Sequence, residues 1–130
     1  MDYGRLRQFD AAVRSFYLRL KEIWVAEKYA RAGVLGKDAA ARQEYYGNRA
    51  AWTAELVDAL EAMDVPASDF NSCRDNFVLA GKVLQQAYGE FAVGKTPSGQ
   101  SLAEYGYYVD AALEELKNLW DRYHGENEKS

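Results

Sequence analysis

The stretch LRQFDAAVRSFYLRLKEIWVAEKYA, residues 6–30, decides the fold. Its apolar residues recur at alternating steps of three and four: Leu6, Phe9, Val13, Phe16, Leu20 and Ile23, with Glu27 and Ala30 continuing the line. At about 3.6 residues per turn this spacing keeps them on one face, the inner seam of a long amphipathic helix. The far side is also partly apolar, with Ala11, Leu18 and Val25 at sevens, Tyr29 close by, and a basic line of Arg7, Arg14, Lys21 and Lys28 alongside. A helix with two apolar sides calls for two sets of neighbours.

Working outward, this first helix is expected to run from about Asp2 to Ala32 and to stop at the turn Gly33-Val34-Leu35-Gly36. Asp38 then reads as the N-cap of a second helix, with Ala41, Tyr45, Asn48, Trp52, Leu56, Ala59, Leu60 and Met63 on its inner side. Asp64-Val65-Pro66 should end it, because proline cannot continue a helix and restricts the residue before it. A third helix follows Pro66 or Ser68 on the seam Phe70, Cys73, Phe77, Ala80, Leu84, Ala87 and Phe91, and Gly94 closes it. Residues 95–99 form a link, and Ser101 and Glu104 have the spacing of a capping box. The fourth helix carries Leu102, Tyr105, Val109, Ala112, Leu116, Leu119 and Tyr123.

Four amphipathic helices joined by short links predict an all-α fold, an antiparallel up-down-up-down four-helix bundle. Residues 1–124 make a single domain and residues 125–130 a flexible polar tail.

Composition agrees with a soluble domain: of 130 residues 48% are apolar and 28% charged. Sixteen basic and twenty acidic side chains give a net charge of −4, which disfavours nucleic acid as a partner, since such binding needs a basic face. The charge is uneven: residues 1–36 carry +3 and the remainder −7. The start of the chain has no secretory pattern, and no stretch reaches the ~20 apolar residues of a membrane helix, so no membrane partner is expected. A single cysteine, Cys73, suits a reducing compartment, and the cytoplasm is the expected location. Alanine, glycine and arginine usage is compatible with a bacterial origin.

Chemistry-bearing constellations are sparse. The lone histidine, His124, cannot supply the paired Glu-x-x-His ligands of di-iron bundles, and Cys73 on an apolar seam reads as a small hydrophobe. Residues 89–96, GEFAVGKT, fit the phosphate-binding loop pattern G-x-x-x-x-G-K-[ST]. That loop must lie between a strand and a helix start, whereas Gly89 and Phe91 belong to a helix end and Pro97 follows. The sequence therefore implies no enzyme, no cofactor and no metal.

Two binding surfaces are expected instead. The outer side of the first helix offers Leu18, Val25 and Tyr29 with a rim of Arg14, Lys21 and Lys28, the anatomy of a contact for a second copy or another protein. The alternative is a small-molecule pocket at the end of the bundle rich in tyrosine, with Glu27, Tyr45, Asn48, Tyr88 and Tyr105 as its lining. Gly47, Gly89 and Gly106 stand inside helices beside those tyrosines and are expected to make room for rings or a ligand.

Overall fold

The computed structural model describes the backbone of residues 3–31, 39–95 and 99–129, with side chains over 4–23, 39–95, 99–100 and 103–123. Four helices account for nearly all of it: α1 (Tyr3–Arg31), α2 (Ala39–Glu61), α3 (Asn71–Ala92) and α4 (Gly99–Lys129). Among the described residues there is no strand, and the architecture is an all-α four-helix bundle. The Gly33–Gly36 turn and the Asp38 cap lie outside the described residues.

α3 is the axis of the packing. It runs close along both α2 and α4, while the backbone of α1 approaches all three others more sparsely. Side-chain size contributes to the difference. Where α3 meets its close neighbours it presents Cys73, Ala80, Gly81 and Ala87, all buried. A Cβ on Gly81 would fall 2.5 Å from Val57 Cγ2 and 3.0 Å from Phe16 Cζ, so only glycine admits α2 at this distance. α1 meets the 3-10 turn before α3, and α3 itself, through rings: Phe9 against Phe70 at 4.8 Å and Phe16 against Phe77 at 6.2 Å between centroids. Rings of that size hold helix axes apart.

The seams of α1, α3 and α4 are buried much as expected: Leu6, Phe9, Val13, Phe16 and Leu20; Phe70 to Ala87; Val109, Ala112, Leu116 and Leu119. α2 is turned by about one residue from the expected phase. Its buried stripe is Tyr46, Thr53, Val57 and Leu60, whereas Trp52 is 50% exposed and Asn48 faces solvent. Thr53 enters the core because its hydroxyl donates to the Arg49 carbonyl at 2.8 Å, leaving no unmet polar group. Alanines at 39–41, 50, 51, 54, 59 and 62 fit either face and give the helix little apolar contrast.

The ends of the elements follow local chemistry. α2 stops at Glu61, and a 3-10 turn at Ser68–Phe70 leads into α3. α3 closes in a Schellman arrangement: Lys95 N–H donates to the Glu90 carbonyl at 2.8 Å and Gly94 N–H to Phe91 at 3.1 Å, with Gly94 at φ 81°. α4 begins at Gly99, so Ser101 and Glu104 lie within its first turns rather than at a cap. It also continues to Lys129, so the expected tail at 125–130 is helical through Lys129. Glu126, Glu128 and Lys129 are competent helix formers, and one glycine did not break the run.

Gly47 and Gly89 have open space where a Cβ would lie, and so does Gly106. Contrary to expectation, they admit neither rings nor a neighbouring helix. Replacing Gly47 or Gly89 by alanine should therefore raise stability by about 0.5–1 kcal/mol through helix propensity. Gly81→Ala should lower it by about 1 kcal/mol or more, because overpacking against the stiff Val57 exceeds the propensity gain. Denaturant melts of the three variants read the opposite signs directly.

Candidate functional site

The outer strip of α1 is only partly visible. Leu18 is 54% exposed and Lys21 is exposed; the side chains of Val25, Lys28 and Tyr29 lie outside the described residues. Arg14 is engaged within the chain, its Nε donating to both Asp10 carboxylate oxygens at 2.9 Å. Asp10 also accepts the Trp120 indole N–H at 2.7 Å, which ties α1 to α4.

At the tyrosine-rich end the described rings pack on one another. Glu27 lies outside the described residues, and Asn48 is at the surface because the buried stripe of α2 is rotated away from it. Tyr88 is fully buried and stacks on Tyr46 at 6.3 Å, and Tyr46 stacks on Phe91 at 5.1 Å. Tyr45 meets Tyr46 edge-on, and its hydroxyl accepts from Arg49 Nη2 at 2.9 Å. Burial, with Tyr17 adding a smaller push, raises the Tyr105 phenol to about 12, so it stays neutral at physiological pH. These rings fill space against one another.

Cys73 is likewise a packing group. Its thiol is buried and within 3.3 Å of the Ala112 carbonyl, to which it donates. Burial, with smaller contributions from Glu115 and Asp10, pushes it up to about 12. The side chain of His124 is outside the described residues. The phosphate-loop pattern is also explained by structure: Gly89 to Ala92 are helical, Gly94 is the helix stop, and Lys95 projects from the turn. Its backbone N–H groups at 93–95 are spent on the helix end, so they cannot converge on phosphate.

Among the described residues a concavity lies between α1 and α2. A cavity of about 540 Å³ is lined by Arg19, Glu22 and Ile23 from α1 and by Arg49, Trp52, Glu55 and Leu56 from α2. A second of about 310 Å³ continues along the same two helices past Phe16, Leu56 and Leu60 to Met63. A third, about 370 Å³, follows beside Phe9, Met63 and Pro66. Shared lining residues join them into one groove, with α1 rising as α2 descends.

Trp52 and Arg49 form its upper wall. The Arg49 guanidinium carbon sits 4.4 Å from the Tyr45 ring centre and 5.0 Å from that of Trp52, which fixes the indole beside the opening. Arg49 Nε is buried without a hydrogen-bond acceptor among the described residues. Sequence reading missed this wall because it assigned Trp52 to the core. The signal present was Tyr45, Arg49 and Trp52 at steps of four and three, which aligns a cation with two aromatic faces.

Among the described residues no helix is long and apolar enough to cross a membrane. Comparison with known protein families, with curated proteins and with solved structures finds no match to this chain.

The raised thiol makes Cys73 a reporter of opening. At about pH 8 it should react with a thiol reagent only as fast as the native state unfolds, so the rate should rise steeply across the denaturant transition. Rapid labelling of the native protein would contradict the burial.

Proposed function

We propose that this protein is a non-enzymatic helical interaction module that binds another polypeptide along α1 and the α1–α2 groove. The single observation that carries the reading is the half-exposed indole of Trp52, held by Arg49 at the edge of a groove with an apolar floor and a charged rim. Protein contacts are built in this way, from an aromatic anchor in a concavity surrounded by polar side chains. A groove between two helices also suits an amphipathic helix laid along it. The strip of Leu18, Val25 and Tyr29, with Arg14, Lys21 and Lys28, extends this surface around the back of α1 in the same reading. The cytoplasm is its proposed setting, where a single cysteine stays reduced.

The test is recovery of a bound chain after cross-linking in the source cell, with wild type compared against Trp52→Glu and Leu18→Glu. Charge at the anchor should reduce recovery at least tenfold, about 1.4 kcal/mol, while the purified variant keeps its helical spectrum. Equal recovery from both folded variants would overturn the reading.

A further inference from the structure

The occupant of the groove can be argued from its charges. With the C-terminal end of α1 uppermost, α1 rises and α2 descends, because Phe9 is beside Met63, Phe16 beside Leu60, and Ile23 beside Trp52. On the α1 rim Glu22 therefore lies above Arg19, and on the α2 rim Arg49 lies above Glu55. The signs alternate around the opening: anion and cation across the top, cation and anion across the bottom. Such a pattern has no net charge and is opposite to itself under rotation.

Of the face-to-face two-fold arrangements open to a second copy, the two with the axis along or across the helices pair these four charges completely. If the axis runs along the helices, Glu22 of each chain meets Arg49 of the other and Arg19 meets Glu55. If the axis runs across them, Glu22 meets Arg19 and Arg49 meets Glu55. Every facing pair is opposite in sign in both cases, and both place the half-exposed Trp52 in the contact. Self-complementarity of this kind is what a two-fold interface requires, since one patch must serve as both partners.

The geometry points to a homodimer of this chain formed face to face through the α1–α2 groove, with Trp52 in the contact and Arg19, Glu22, Arg49 and Glu55 setting the register. It rests on the reading of the groove as a protein contact and names the partner. The dimer leaves the back of α1, with Leu18, outside the contact.

Sedimentation of the purified full chain across about a hundredfold range of concentration tests it, using an all-acidic rim (Arg19→Glu with Arg49→Glu) and an all-basic rim (Glu22→Lys with Glu55→Lys). Wild type should interconvert between monomer and dimer. Each variant alone should show a dimer dissociation constant raised about tenfold or more, and an equimolar mixture should recover a mixed dimer. Helical spectra and melting confirm folding. Since Arg49 also packs on Tyr45 and Trp52, Arg19→Glu alone replaces the acidic double variant if that one does not fold. A wild type that stays monomeric, a variant that self-associates like wild type, or a mixture no tighter than its components overturns the proposal. A monomeric wild type that still loses a captured partner on Trp52→Glu overturns the second-copy inference alone. A monomer that captures nothing through Trp52 overturns the interaction reading as well.

Discussion

The structure depends on one close approach. Gly81 lets Val57 of α2 reach the backbone of α3, with the small buried Cys73, Ala80 and Ala87 set among the larger Phe77, Leu84 and Tyr88. α2 and α4 lie close along α3, and α1 approaches it more sparsely. α1 is seated on Phe9 and Phe16, whose rings meet Phe70 and Phe77 from a greater separation. The unequal distances leave the seam between α1 and α2 open along much of its length. A bundle with four equal seams would have closed it. The groove is thus a consequence of which side chains are small and which are large on α3 and α1.

Several polar groups near the core are satisfied within the chain. Thr53 donates to its own helix, and Cys73 donates to Ala112 across the α3–α4 contact. Asp10 accepts from Trp120, and Asp69 from both Tyr123 and Arg122, the last two donors holding its carboxyl below the usual range with the tyrosine foremost. These ties fix α4 against α1 and against the start of α3. None of them leaves a reactive group poised over a cavity. Arg19, Glu22, Arg49, Trp52 and Glu55 are among the charged and aromatic groups that border open space, and they have the chemistry of recognition.

Helical periodicity alone was sufficient for the seams of α1, α3 and α4, because Leu, Phe and Val on one face contrast with Arg, Lys and Glu on the other. It misled at α2. There the alanines give no contrast, a threonine carries the core position, and the largest apolar residue lies at the surface. Ranking residues by hydropathy puts Trp52 inside and Thr53 outside, and the hydroxyl bond to Arg49 reverses the order. The groove was illegible for a related reason. It is a property of the distance between two helices, set by Gly81 on a third, and no pattern within α1 or α2 encodes it. The helix stop at Gly94 was legible because the left-handed conformation selects glycine by itself.

The ring-mediated seating of α1 also bears on how the molecule opens. α2, α3 and α4 share close backbone approaches and form a natural cooperative unit, whereas α1 is retained by side-chain tips and the Asp10 tie. Its amides are expected to lose protium earliest in partial opening, ahead of those on α3. Anything that fills the cleft beside α1 presses it onto the other three and withdraws its seam from water. Occupancy and local unfolding of the leading helix are then linked quantities, and the concentration of the occupant sets how often that helix lifts away.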